Sequence, residues 1–192
     1  VEKKPLHQLF GNLSVDSVRV YGTTGWLSLS ETELIQECKK YAALGIHGFK
    51  IRLGHADDYH RVKTVRKAMG DDYVLMLDAT QQFNVENAIA LSKKMAPLNI
   101  TWFEEPVGNA IADLISVKQK STIPVAAGEN IIAISDFEAV CKRKAVDILQ
   151  PDIMRCGGIT GFVEIAKKIQ PYHIPLCNHL LPELSLSVIA AF

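Results

Sequence analysis

Short apolar runs alternate along the chain with stretches whose apolar residues recur at helical spacing. Seven runs read as strands: SVRVYGTTG (17–25), GFKIRLG (48–54), YVLMLDAT (73–80), ITWFEEP (100–106), IPVAAGE (123–129), AVDILQPD (145–152) and HIPLCNH (173–179). Their near-continuous apolar character predicts strands buried on both faces, as in a parallel sheet. Between them, SETELIQECKKYAALG carries Ser30 as a candidate N-cap and Gly45 as a C-terminal stop, and DYHRVKTVRKAMG stops at Gly70 in the same way. NVENAIALSKKMAPL, SDFEAVCKRKA and GITGFVEIAKKIQPY repeat the helical pattern, the last stopping near Pro171. Strand starts recur at intervals of between 20 and 31 residues, one β/α unit each. The pattern predicts an α/β fold and ranks a (β/α)8 TIM-type barrel above an open doubly wound sheet. No linker or low-complexity segment divides the chain, so residues 1–192 read as one partial barrel domain.

Length qualifies the barrel. A complete one takes about 250 residues, whereas this chain has 192 and ends inside what reads as the helix after the seventh strand. The expectation is an incomplete barrel, with strands one to seven present, and a biological protein that is longer at both ends. The composition, 48% hydrophobic and 22% charged, is that of a globular core-forming chain. Lys plus Arg and Asp plus Glu both total 21, so net charge gives no footprint for nucleic acid or an anionic membrane. No apolar run approaches the roughly 20 residues of a membrane span. The opening VEKKPLHQLFGNLS has no continuous apolar core of a signal peptide. Cys38, Cys141, Cys156 and Cys177 form no CxxC pair and read as reduced thiols of a cytoplasmic protein, rather than disulfides or a zinc site.

The strand ends change the picture. The third run ends with Asp78, the fourth with Glu104, the fifth with Glu129, the sixth with Asp152 and the seventh with His179, while the second carries Lys50 and Arg52. In a β/α barrel the C-terminal strand ends form the active-site face, so these side chains converge. Asp78, Glu104 and Glu129 are separated by 26 and 25 residues, one barrel unit each. Three clustered carboxylates repel one another unless a cation offsets them, and three hard oxygen ligands suit Mg²⁺. The competing reading is that strand-end acids cap helices or sit in solvated loops. Three on consecutive strands, flanked by Lys, Asp and His, weigh against it. Gly157, Gly158 and Gly161 could suggest a phosphate cradle but read better as a tight turn into a helix. Glu105 alternates to the other face from Glu104 and reads as supporting or structural. The i, i+4 spacing of His179 and Glu183 is coincidental if His179 ends a strand. His7, His47, His55, His60 and His173 have no partners at telling spacing.

The segments FKIRLG, MGDDYVLMLDATQ, TWFEEP, IPVAAGEN, ILQPDIMRCGGITG and IPLCNHLLPELS together resemble the mandelate racemase branch of the enolase superfamily. The resemblance runs from the first barrel strand to the end of the chain. It implies that Asp78, Glu104 and Glu129 ligate Mg²⁺, and that His179 is the general base or acid, oriented by Asp152. It aligns Lys50 and Arg52 with the family's K-x-K pair, and Thr80 and Asn130 with substrate-binding positions. Two departures stand out. Arg52 replaces the lysine that serves as the base on the opposite face of the substrate, and a guanidinium does not readily abstract a proton. Thr80 replaces an asparagine. The resemblance also implies a separate N-terminal capping domain, absent from this sequence, and an eighth strand.

These readings predict Mg²⁺-dependent removal of the proton α to a carboxylate of a small-molecule acid. Arg52 in place of a second base favours a sugar-acid (aldonate or aldarate) dehydratase. A racemase or epimerase of a 2-hydroxy acid, with Lys50 as second base, is the alternative. A non-catalytic metal-binding barrel relative is the reading from another class. Homo-oligomerisation is expected of the full-length form.

Overall fold

The structure, a computed structural model, describes residues 3–10, 15 and 17–192. The opening segment tested above for a signal peptide includes residues 1, 2 and 11–14, which lie outside the described residues. In chain order the elements are α1 (His7–Phe10), β1 (Gly22–Thr24), α2 (Glu31–Ala43), β2 (Gly48–Arg52), α3 (Asp58–Met69), β3 (Val74–Asp78), α4 (Val85–Met95), β4 (Ile100–Glu104), α5 (Ile111–Lys120), β5 (Val125–Ala127), α6 (Ile134–Lys142), β6 (Ile148–Leu149), α7 (Gly158–Ile169) and α8 (Pro182–Ile189). The strands form one sheet in chain order, and the paired strands are parallel. This is the β/α repeat that the hydrophobic pattern predicts.

Contacts divide the chain into two compact units, Val20–Val125 and Val1–Arg19 with Ala126–Phe192. In the first unit, β2 and β3 are buried along nearly their whole length, with Phe49, Ile51, Leu75 and Leu77 fully enclosed. Burial on both faces explains why these strands read as continuous apolar runs rather than alternating ones. Ser30 caps α2: its side chain accepts from Glu33 N, and the Glu33 carboxylate accepts from the Ser30 N–H, a complete capping box. In the second unit, α7 buries Phe162, Ile165 and Ile169, and α6 buries Phe137 and Val140.

Three expectations need correction. The seventh run is not a strand. It makes two isolated parallel bridges, Leu149–Leu176 and Asp152–His179, so the described residues hold six strands. Leu149 N donates to Pro175 O at 2.9 Å and His179 N donates to Pro151 O at 3.1 Å. Between these bonds Pro151 has no N–H to give, which interrupts the ladder. The first run, expected over 17–25, is a strand only at Gly22–Thr24. Finally, α5 was not foreseen. Its N-cap is Ala110, with no side-chain capping bond, so the usual start signal is missing.

Candidate active site

The register of the first unit brings its charged residues to one level. Arg52 on β2 pairs with Asp78 on β3, and Asp78 with Glu104 on β4. Residues i and i+2 share a strand face, which puts Lys50 beneath Arg52 on the same side. Asp78 and Glu104 are each 1% exposed and Lys50 is 4% exposed. Buried charges persist only when paired, and here each one is. Lys50 Nζ donates to Glu104 Oε1 in a short bond and lies 3.6 Å from Asp78 Oδ2. Arg52 Nη2 lies 3.3 Å from the same Asp78 oxygen. Trp102 Nε1 donates to Glu104 Oε2 at 3.2 Å, and Thr80 N donates to Asp78 Oδ1 at 2.9 Å. Every carboxylate oxygen of Asp78 and Glu104 therefore has a partner.

The backbone after these carboxylates is tightly wound. Thr80, Gln81 and Glu105 all have positive φ, of 46°, 64° and 45°, a conformation that costs energy for non-glycine residues. Side chains hold it: Gln81 Nε2 donates to Glu105 Oε2 at 2.6 Å and to Asn109 Oδ1 at 2.9 Å, and Gln81 N donates to Glu105 O at 2.7 Å. Thr80 Oγ1 accepts from Gln82 Nε2 at 3.0 Å.

In the second unit, His179 Nδ1 lies 2.8 Å from Asp152 Oδ2, and Met154 N donates to the other oxygen, Asp152 Oδ1, at 2.8 Å. An ionised carboxylate only accepts, so this contact suits an imidazole that carries its proton on Nδ1. Nε2 stands 3.0 Å from Glu129 Oε2. Arg155, which sequence reasoning did not single out, binds the same group. Its Nη1 donates to Glu129 O at 3.1 Å and, in a short bond, to Asn130 Oδ1, and its Nε is 3.9 Å from Asp152 Oδ2. The one sequence signal was the i, i+3 spacing of Asp152 and Arg155. Asn130 Nδ2 reaches Glu129 Oε1 at 3.4 Å, so both ends of this amide are turned to protein groups.

The structure thus brings Lys50, Arg52, Asp78, Thr80 and Glu104 together in one unit, and Glu129, Asn130, Asp152 and His179 in the other. Among the described residues no group of three or more His, Cys, Asp or Glu side chains stands ready to hold a metal ion. The positive charge at Asp78 and Glu104 comes from Lys50 and Arg52. Gly157 and Gly158 have positive φ, of 95° and 71°, at the start of α7, and a Cβ on Gly161 would lie 1.9 Å from Cys156 O. These glycines make the turn into the helix. The four cysteines are free thiols, and no helix among the described residues is long and apolar enough to cross a membrane.

Comparison with known proteins places this geometry. The family described as enolase C-terminal domain-like matches residues 33–192. L-talarate/galactarate dehydratase of Salmonella typhimurium LT2 is 34% identical over 98% of the chain, which spans 48% of that enzyme. Two crystal structures align closely. One is a racemase from Streptomyces coelicolor A3(2) with bound magnesium, at TM-score 0.93 and 27% identity, covering 97% of this chain and 53% of that one. The other is L-talarate dehydratase from Polaromonas sp. JS666 complexed with Mg and L-glucarate, at TM-score 0.92 and 32% identity, covering 97% and 54%. Further curated relatives include sugar-acid dehydratases and cycloisomerases. The chain spans about half the length of the curated relatives it matches. With strand-end carboxylates, a His–Asp pair and a match over most of its length, the chain belongs to the enolase C-terminal domain-like family.

Proposed function

We propose that the protein removes the proton α to a carboxylate of a sugar acid, with Mg²⁺, and expels a β-hydroxyl as water. The observation that carries this reading is the Asp152–His179 pair, with Nδ1 at 2.8 Å from the carboxylate. That contact fixes the tautomer and raises the basicity of Nε2, the two properties a general base needs.

The donor set suits a hard divalent ion. Asp78 and Glu104, almost wholly buried, both reach the single ammonium of Lys50, so two oxygen groups already converge on one cationic point. Asp78 and Glu104 would hold Mg²⁺, which when bound offsets the charge that develops on the substrate carboxylate, and Glu129 is the third ligand that the resemblance implies. The remaining work belongs to the chain. His179 Nε2 takes the α-proton, and after the α-carbon has lost it the same nitrogen protonates the departing hydroxyl. Asp152 keeps the ring oriented through both transfers. Arg52, permanently charged, binds oxygen and moves no proton. Lys50 Nζ reaches Glu104 and Asp78, the same carboxylates that would turn to Mg²⁺, and it is the second base of the racemase alternative. With Arg52 standing where the family's second base would be, elimination is favoured over racemisation, as in the dehydratases among the relatives.

A panel of aldonic and aldaric acids, assayed for 2-keto-3-deoxy acid formation with and without Mg²⁺, tests the reading. Mg²⁺-dependent dehydration of at least one acid, lost in His179→Asn, is expected. Inversion at the α-carbon without loss of water would point instead to the racemase alternative.

A further inference from the structure

We propose that Trp26 and Arg52 form a subsite for an anionic or hydroxyl-bearing group of the substrate, and that Arg61 is the positioning residue for Trp26. This rests on the function proposed above and extends it to specificity. It arises in the loop after β1, which neither the strand-end reading nor the His–Asp pair involves.

The loop is pressed onto β2. Gly25 has φ of 75°, and a Cβ there would lie 2.7 Å from Ile51 Cγ2 and 3.1 Å from Arg52 N, so only glycine lets the chain pass so close. The next residue, Trp26, is thereby delivered to the Arg52 side chain, whose Cζ lies 5.6 Å from the indole centroid. Arg61 holds the loop from below. It is 2% exposed, and its Nη2 donates to Trp26 O at 3.2 Å and to Gly25 O at 3.5 Å. Its Nε and Nη1 have no hydrogen-bond partner among the described residues. A buried guanidinium with two unmet donors is costly, and it remains where the two carbonyls of this loop need it.

Arg52 is held on two sides, by the face of Trp26 and by Asp78 Oδ2 at 3.3 Å. Its side chain is nevertheless 24% exposed, and Trp26 is 54% exposed. No other ion pair or hydrogen bond of the Arg52 side chain is present among the described residues, so Nε and Nη1 remain available beside an open indole face. A flat guanidinium with a free edge recognises carboxylate or vicinal hydroxyl oxygens, and an indole face packs on the C–H face of a polyol chain. Aldaric acids carry both features. Stacking also limits the rotamers of Arg52, so its donors are placed before substrate arrives.

Two readouts test this. The first is steady-state kinetics of Trp26→Phe, Trp26→Leu, Arg52→Gln and Arg61→Met on the best acid found, with folding checked by circular dichroism and thermal melting. Trp26→Leu should raise KM about tenfold or more with kcat changed far less, the pattern of lost ground-state binding, and Arg52→Gln should raise KM at least as much. Trp26→Phe, which keeps an aromatic face, should recover most of the loss. Arg61→Met should follow Trp26→Leu in KM, and partial unfolding of that variant alone would leave the Trp26 and Arg52 variants to decide. The second readout needs neither turnover nor metal: tryptophan emission during titration with D-glucarate. A saturable change in the wild-type protein, largely lost in Trp26→Phe and weakened in Arg52→Gln, is expected. An unchanged KM in Trp26→Leu, or a fall in kcat with KM unaltered, would overturn the subsite, as would an emission change that is undiminished in Trp26→Phe. If no acid is turned over but the emission response holds, the catalytic reading fails and the subsite stands.

Discussion

Asp152 and His179 are 27 residues apart in sequence, yet a single parallel bridge places them side by side, and that bridge sets the 2.8 Å contact. Asp152 is itself held by the N–H of Met154, so its carboxylate has one oxygen for the backbone and one for the imidazole. Asp152→Asn keeps the shape but can present an N–H to Nδ1 and favours the wrong tautomer. Turnover should fall by about three to four orders of magnitude while the melting temperature moves little. Parallel measurement of kcat and thermal melting checks this, and a loss of less than about tenfold would remove Asp152 from the chemistry. The identity of these residues was readable from the ends of apolar runs. Their partners were not. Trp102 and Gln81 sit at no diagnostic spacing, Arg155 has only its i, i+3 spacing from Asp152, and only the folded register shows that Arg155, Trp102 and Gln81 bind Asn130, Glu104 and Glu105.

At the level of elements, the strand–helix order was legible because both-face burial makes β2 and β3 continuous apolar runs. Boundaries were less so. The run 145–152 yields a two-residue strand because Pro151 stops the ladder, and α5 begins without a capping side chain. One element-scale device was invisible in the sequence. Arg66 of α3, 7% exposed, donates from Nε to Leu98 O, from Nη1 to Gly70 O and Tyr73 O, and from Nη2 to Asn99 O. It gathers the loop leading into β3 and the turn before β4, which fixes the register that aligns Asp78 with Glu104. Arg66→Met would leave four carbonyls to find water or go unmet. A loss of about 2–4 kcal/mol in stability is expected, read from urea unfolding. A cost under about 0.5 kcal/mol would show that the loops hold themselves.

Across the whole molecule, burial sets how the protein responds to alkali. Burial pushes the Cys38 thiol up to about 12, and those of Cys141 and Cys156 up to about 11, from an ordinary value of 9.0. The folded state therefore keeps protons that the unfolded chain gives up. Stability from these thiols is fully present below pH 9 and is lost as pH rises from 9 through 11 to 12. The melting temperature should decline over that window, and Cys38→Ala should flatten the decline. An identical alkaline decline in Cys38→Ala would remove Cys38 as a contributor. The α/β class and the barrel-type repeat followed from periodicity, whereas the loop contacts of Trp26 and Gln81 are ones that no periodicity encodes. The central claim, metal-assisted removal of an α-proton by His179, is met most directly by following deuterium at the α-carbon of a specifically labelled sugar acid by NMR. The label should wash out of the α-position with Mg²⁺, and stay in place in metal-free protein and in His179→Asn. Turnover with the α-deuterium intact, or washout undiminished without Mg²⁺ or without His179, would contradict it.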